Sequence, residues 1–136
     1  MTDDELVELL TLRPFVEASG IIKYKNSAGQ LHRVHGPAVI WPKGDRHWVI
    51  CDLLHRVDGP AIEFASGVNQ WWINGRLHRE NGPAITRPDG YEGWYHHGLR
   101  HRTDGPAVIR SDGQQQWFLD GYHVTQDEWR NKVRDI

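Results

Sequence analysis

A histidine followed by an arginine recurs four times in this 136-residue chain, at a constant spacing of 23 residues. A guanidinium matches the oxygen atoms of phosphate, so a row of arginines could hold phosphates or an anionic polymer. The candidates for this anion site are Arg33, Arg56, Arg79 and Arg102. The same side chains could instead bond to loop carbonyls or to the carboxylates of Asp58 and Asp104. Because stacked like charges repel unless they are paired, the structural role is the favoured interpretation.

The repeated pairs do not indicate catalysis, which needs different side chains in different roles at one place. The sequence contains no nucleophile-elbow motif, no phosphate-cradling glycine loop and no His-Glu-x-x-His zinc motif. His96, His97 and His101 have no acidic or thiolate companion at ligand spacing, so we predict no metal site. A single cysteine, Cys51, excludes both an internal disulfide and a zinc site built from several thiolates. We therefore expect neither an enzyme nor a cofactor.

The overall charge and hydropathy narrow the range of partners. Charged residues make up 25% of the chain and the formal net charge is −2, which predicts no general attraction to nucleic acid or anionic membranes. The acidic start is unlike a signal or transit peptide, and no apolar run approaches the roughly 20 residues that span a bilayer. We expect a soluble protein of a reducing compartment, in the cytoplasm, or in the host cytoplasm if it is viral.

A repeat with a fixed period of 23 residues predicts a stacked array of similar units. The strands and turns of this array must position the His-Arg pairs. We predict a mostly β fold, a single-layer or curved antiparallel array of four to five hairpin repeats. Gly-Pro-Ala begins a strand in each copy, a second glycine lies in the turn, and a tryptophan lies on the returning strand. The array spans residues 21–124, with a half repeat at 21–30 and full repeats at 31–53, 54–76, 77–99 and 100–122.

Short helices are expected at both ends, because the exposed strand edges of an array invite aggregation unless they are covered. Residues 1–20 are predicted to form a capping helix and linker, with Thr2 and Glu5 as a capping box. An apolar stripe on this helix would comprise Leu6, Val7, Leu9 and Leu10. Residues 125–136 are predicted to form the second capping helix, which begins at Thr125.

The period, the Gly-x-x-His connection and the aromatic-bearing hairpin resemble MORN repeats over residues 21–124. The resemblance is strongest to a variant with His-Arg-x-Asp-Gly-Pro-Ala, which is associated with bacterial, phage and large-virus proteins. This chain has Trp-aromatic-x-x-Gly where MORN repeats have Tyr-x-Gly-x-Trp, and Gly-Pro-Ala replaces their Gly-x-Gly. The resemblance implies a scaffold or interaction module. Some such arrays are credited with lipid binding, and few are enzymes by virtue of the repeat.

Two faces follow from strand alternation if the hairpin has a two-residue loop at the second glycine. Val39 and its equivalents Ile62, Ile85 and Val108 would then oppose the recurring tryptophans in one buried layer. The repeat alanines would lie on the other face, opposite Val49, Trp72, Tyr95 and Phe118. That row could be a second core layer or an exposed aromatic stripe for a partner.

The positions that differ between copies are the candidates for partner contact. They include the aromatic row and its neighbours: Trp72, Tyr95, Phe118, Gln70 and Thr86. They also include a column that changes from aromatic to cationic along the array: Trp41, Phe64, Arg87 and Arg110. Arg87 could instead pair with Glu92 across its hairpin.

We expect a non-enzymatic protein–protein interaction module. The phage association suggests an inhibitor or adaptor acting on a host defence or regulatory protein. One alternative is a module that binds a small anionic ligand, a nucleotide or a phospholipid headgroup, through the arginine rows. A further alternative is a self-assembling structural scaffold or homodimer.

Overall fold

A computed structural model describes residues 2–136, apart from the side chains of residues 4 and 9–11. Two helices, α1 (Asp3–Thr11) and α2 (Gln126–Val133), flank seventeen short strands in this part of the chain. The strands are β1 (Phe15–Val16), β2 (Ile22–Lys23), β3 (Val39–Ile40), β4 (Arg46–His47), β5 (Val49–Ile50), β6 (Leu53–Leu54), β7 (Ile62–Glu63), β8 (Asn69–Gln70), β9 (Trp72–Ile73), β10 (Arg76–Leu77), β11 (Ile85–Thr86), β12 (Glu92–Gly93), β13 (Tyr95–His96), β14 (Leu99–Arg100), β15 (Val108–Ile109), β16 (Gln115–Leu119) and β17 (Tyr122–Val124). The predicted mostly β, antiparallel fold is confirmed.

The main sheet is an antiparallel meander of eleven strands, in the order β1-β2-β3-β4-β7-β8-β11-β12-β15-β16-β17. Three small hairpins lie beside it, formed by β5 with β6, β9 with β10, and β13 with β14. Each of these three repeats therefore contains two hairpins, one in the main sheet and one beside it, rather than the single predicted hairpin. Neither helix is long and apolar enough to cross a membrane within the described residues.

In each repeat we call the hairpin in the main sheet the first hairpin and the hairpin beside it the second. The turn of the first hairpin is one residue longer than predicted. The Trp41 N–H donates to the Asp45 carbonyl at 3.0 Å, and Gly44, at φ 102°, occupies the left-handed position of a three-residue loop. Val39 consequently pairs with His47 and not with Trp48. The same register recurs along the array, so the predicted pairing of the valine column with the tryptophans is wrong by one residue.

The second hairpin turns through two residues that both have positive φ. Asn74 and Gly75 have φ of 48° and 78°, and the same left-handed pair recurs at residues 51–52, 97–98 and 120–121. Two consecutive residues with positive φ are typical of the tight turn that matches strand twist.

Small side chains form the tightest part of the core. The alanine of every Gly-Pro-Ala segment is 0% exposed, and the next position is also buried in three copies, with Val108 only 2% exposed. Phe118 is 8% exposed and packs in one cluster with Ala107 and Val108. This part of the predicted aromatic row is therefore core and not an exposed stripe.

The helices lie against the two ends of the array. The capping box of Thr2 and Glu5 is present, and Glu8 of α1 approaches His32 of the first repeat at 3.3 Å. Leu6 and Val7 are 48% and 57% exposed, so this half of the predicted stripe is not buried. The other half, Leu9 and Leu10, lies outside the described side chains. At the opposite end, the Trp129 indole N–H of α2 donates to the Arg102 carbonyl at 2.7 Å.

The N-terminal segment also contains a strand that the sequence analysis did not predict. β1 pairs with β2 and extends the main sheet by one strand before the first repeat. Next to β2, the Tyr24 N–H donates to the Ala38 carbonyl at 2.8 Å, as the Trp48 N–H does to the Ala61 carbonyl at 2.7 Å. Tyr24 thus takes the place of a repeat tryptophan.

Candidate functional site

The four repeated arginines are built into the fold. Each guanidinium lies over the aromatic ring of the preceding repeat, as Arg56 does over Trp48 at 3.9 Å and Arg102 over Trp94 at 3.7 Å. Arg33 lies over Tyr24 at 4.0 Å, and Arg79 lies over Trp71 at 3.9 Å. Such stacking of a cation on an aromatic face is attractive, the more so when water is partly excluded.

The other side of each guanidinium rests on the loop glycine. A Cβ atom on Gly59 would lie 2.7 Å from Cζ of Arg56, so the glycine is required by close approach. Nη1 of Arg56 also donates to the Pro60 carbonyl at 3.0 Å, and the same bond recurs in the other three copies. Gly-Pro-Ala therefore gives the arginine both a flat surface and an acceptor.

Loop carboxylates pair with two of the arginines, as the sequence analysis predicted. Nε of Arg56 lies 3.1 Å from Asp58, and Nε of Arg102 lies 2.8 Å from Asp104. Glu63 adds a second partner for Arg56 at 3.0 Å. Arg79 has no such ion pair among the described residues, and burial lowers its pKa. Arg56 and Arg102 therefore make several hydrogen bonds within the fold, whereas the guanidiniums of Arg33 and Arg79 donate, among the described residues, only to the proline carbonyls of their loops.

The repeated histidines hold the turns of the second hairpins. Nδ1 of His55 accepts from the Asn74 N–H at 3.0 Å, and Nδ1 of His78 accepts from the His97 N–H at 2.9 Å. His32 and His101 make the same bond to the equivalent turn residues. Since Nδ1 is the acceptor, the proton of each neutral ring lies on Nε2. We call the repeated His, Arg, Gly, Ala and Trp residues the frame.

Three clefts lie between successive loops of the frame and have equivalent linings. The first cleft has a volume of about 720 Å³, with Trp48 and Ile50 among the residues that line it. The second has a volume of about 540 Å³ and is lined by Trp71 and Ile73, 23 residues further on. The third has a volume of about 420 Å³, and its lining includes Trp94. The frame thus presents the same cleft three times.

The variable residues give these clefts different chemistry. Val34 and Val57 line the first cleft and are 37% and 85% exposed. In the third cleft, Glu80 and Thr103 occupy the equivalent loop positions, and His96 replaces the isoleucine. The lining of the three clefts therefore changes from apolar to polar along the array. The sequence indicated these residues, because the two positions after His-Arg vary between copies as Val-His, Val-Asp, Glu-Asn and Thr-Asp.

The side chains of the predicted aromatic row mostly contact neighbouring residues of the fold. The Trp72 indole N–H donates to the Gln70 side chain at 3.0 Å, and the Tyr95 hydroxyl accepts from Nε of Arg100 at 3.1 Å. Both aromatic side chains are half-buried, and Phe118 is buried. Of this row, only Tyr95 lines one of the three clefts, the third.

The aromatic members of the predicted column surround a histidine. Trp41 lies 4.4 Å from the His47 ring and Phe64 lies 6.3 Å from it, between ring centroids. Burial lowers the pKa of His47, and the nearby Asp45 carboxylate partly offsets this effect. These half-buried rings are packed together rather than presented to solvent.

The cationic members of the column lie at the other end of the array. Arg87 lies over the Tyr91 ring at 4.3 Å, and it does not form the predicted ion pair with Glu92 among the described residues. Arg87, Tyr91 and Arg110 line a cavity of about 270 Å³. Thr86 is half-buried in β11, opposite Glu92.

The geometry offers a row of open clefts whose linings change along the repeated frame. An arrangement of this kind suits the binding of an extended partner, because the lining changes while the spacing stays constant. Comparison of the chain with protein-family models and with curated proteins found no match.

Proposed function

We propose that the protein is a non-enzymatic module that binds another protein through the first and second clefts. The observation that carries this proposal is the exposure of Val57, which is 85% exposed on a loop shared by both clefts. Ile50 and Ile73 lie in the linings beside it. Exposed apolar side chains that border a cleft are typical of recognition surfaces.

The spacing of the clefts indicates what kind of segment would fit. Each repeat adds two strands to the main sheet, so successive clefts are about 10 Å apart at about 4.8 Å per strand. A polyproline II segment advances about 3.1 Å per residue and presents every third side chain on the same face, so every third residue would meet a cleft. We therefore expect a partner segment that is extended and carries apolar side chains three residues apart.

The family resemblance, self-assembly and anion binding each lead to a more specific prediction. A MORN-like origin and a phage-encoded inhibitor or adaptor of a host protein depend on the resemblance of the repeat motif. Self-assembly predicts a particle mass that rises with protein concentration, which sedimentation can measure. Anion binding through the arginine rows is less well supported, because those guanidiniums lie against rings, glycines and loop carbonyls.

Selection from a random peptide library displayed on particles tests the proposal. We expect the wild-type protein to enrich peptides with apolar residues at intervals of three. V57D should weaken their binding at least tenfold by placing a charge between the two clefts. Its melting temperature should stay within about 2 °C of wild type, since substitutions at exposed positions change stability little.

Tyr122 supplies the matched control. It is 75% exposed and does not line the three clefts, so Y122D adds the same charge at an exposed apolar position elsewhere. We expect Y122D to bind the selected peptides as wild type does. Equal losses in V57D and Y122D, or no enrichment by the wild-type protein, would contradict the proposal. A steep loss of binding with salt would favour the anionic-ligand alternative.

A further inference from the structure

Three histidines meet at the polar end of the array. One ring nitrogen from each of His78, His96 and His97 lies within 4.8 Å of the others. The rings of His96 and His97 meet edge to face at 4.3 Å, and His78 stacks on His97 at the same distance. His96 stands where the first two repeats have isoleucine. His78 belongs to the frame, but the cluster that it forms with His96 and His97 occurs in this copy of the repeat only.

An acidic companion, which sequence spacing did not predict, lies beside these rings. Oε1 of Glu80 lies 2.8 Å from Nε2 of His78. Glu80 thus presents a carboxylate, a good ligand for a divalent cation, beside His78.

The hydrogen bonds show which histidines are available as ligands. Both nitrogens of His78 are occupied, since Nδ1 accepts from the His97 N–H and Nε2–H donates to Glu80. Within residues 2–136, the ring nitrogens of His96 and His97 make no hydrogen bond.

We propose that His96, His97 and the Glu80 carboxylate bind a divalent transition-metal ion of the class that prefers imidazole, such as Zn²⁺. Two imidazoles and one carboxylate form a known zinc donor set that leaves a position for water. His78 supports the site by orienting Glu80 and by holding the turn that carries His97. Such hydrogen-bonded partners commonly contribute tenfold or more to metal affinity.

The ligands must move inward to reach the roughly 2.0–2.2 Å that zinc requires. The Glu80 side chain is 70% exposed and His97 is exposed, so neither has to leave a packed core to do so. The backbone can stay as it is, because the His97 N–H keeps its acceptor on His78.

Titration of the metal-free protein with ZnCl₂, in competition with a chromophoric chelator, measures the affinity and stoichiometry. We expect one zinc ion per chain. H96I and H97N copy Ile73 and Asn74 of the second repeat, and each should weaken binding at least tenfold. E80Q should weaken it severalfold. H35N is the matched control, because it removes an exposed loop histidine outside the cluster and copies Asn81.

Two further readouts decide the assignment. At the same excess of zinc, the melting temperature should rise more for the wild-type protein and for H35N than for H97N. Hydrogen exchange at the His97 amide should stay slow with zinc bound, because His78 keeps accepting this N–H. Absence of stoichiometric zinc binding, or an H35N loss equal to that of H97N, would overturn the site. Faster exchange at the His97 amide would overturn the supporting role given to His78.

Discussion

The first and third clefts share one frame and differ in what lines it. The Trp48 N–H donates to Ala61 and the Trp94 N–H donates to Ala107, both at 2.7 Å. Around these identical bonds, the first cleft is lined by Val34, Ile50 and Val57, and the third by Glu80, His96 and Thr103. The comparison teaches that the frame and the lining are separate features. The frame sets the spacing, and the lining sets what can bind.

This separation has a physical basis in the location of the stabilising contacts. Each arginine is held by a ring, a glycine and a proline carbonyl, and each repeated histidine by a turn N–H. The variable loop side chains take part in few of these contacts, and Val57 is mostly exposed. Since the stability of a repeat array is approximately a sum over neighbouring units, lining changes should cost little.

Breaking the frame should have the largest effect on stability. R56A removes the stacking on Trp48, the bond to Pro60 and the ion pairs to Asp58 and Glu63. We expect a loss of about 2–3 kcal/mol in the free energy of unfolding, measured with urea. R79A should cost less, because Arg79 has no ion pair within the described residues. An equal loss in both variants would show that the carboxylates contribute nothing.

The close approach of Gly59 can be tested in the same region. G59A alone should cost about 1–2 kcal/mol, since its Cβ would lie 2.7 Å from Cζ of Arg56. In the R56A background the same substitution should be nearly neutral, which gives a coupling of about 1–2 kcal/mol in a double-mutant cycle. Additive losses would show that the glycine serves another purpose.

Removing a turn acceptor should have a smaller effect. H55A leaves the Asn74 N–H without its acceptor on the frame, and we expect a loss of about 1–2 kcal/mol in urea unfolding. Hydrogen exchange at the Asn74 amide should accelerate in this variant, while exchange at the His97 amide should not. Uniform acceleration across both turns would contradict a local role for the histidine.

The smallest effect should come from pH. Burial lowers the pKa of His47 below its ordinary value of about 6.5, so the unfolded chain binds more protons in this range. Stability should therefore fall as pH falls through 6.5. H47Q copies Gln70 and Gln116 of other repeats and should have a shallower pH dependence of stability. Identical slopes in both proteins, measured from pH 5 to 8, would refute this assignment.

The sequence was sufficient for the fold class because the period is a property of the whole chain. The pairing of Arg56 with Asp58 and Arg102 with Asp104 was also predictable, since charge and proximity within one loop determine it. The register was not predictable, because Lys43-Gly44 suits either a two-residue or a three-residue turn. A shift of one residue changes which side chains face each other, and Val39 meets His47 as a result.

The clefts and the histidine cluster could be identified only from the folded structure. The second hairpins could have been predicted, because Asn74-Gly75 and Asp120-Gly121 are typical two-residue turns, although Cys51-Asp52 departs from this pattern in the first copy. The cluster was missed because His78 and His97 are nineteen residues apart and meet only through the turn bond. The loop variability was visible in the sequence, but its exposure was not.

Transplanting the third-cleft lining into the second cleft tests the separation of frame and lining most directly. V57E/I73H/N74H copies Glu80, His96 and His97 one repeat earlier, where His55 already stands in the place of His78. The measurement is the zinc stoichiometry of the folded variant. The predicted result is two zinc ions per chain, against one for wild type, with an unchanged cooperative melt. A variant that binds no more zinc than wild type, or that does not fold, would contradict the separation.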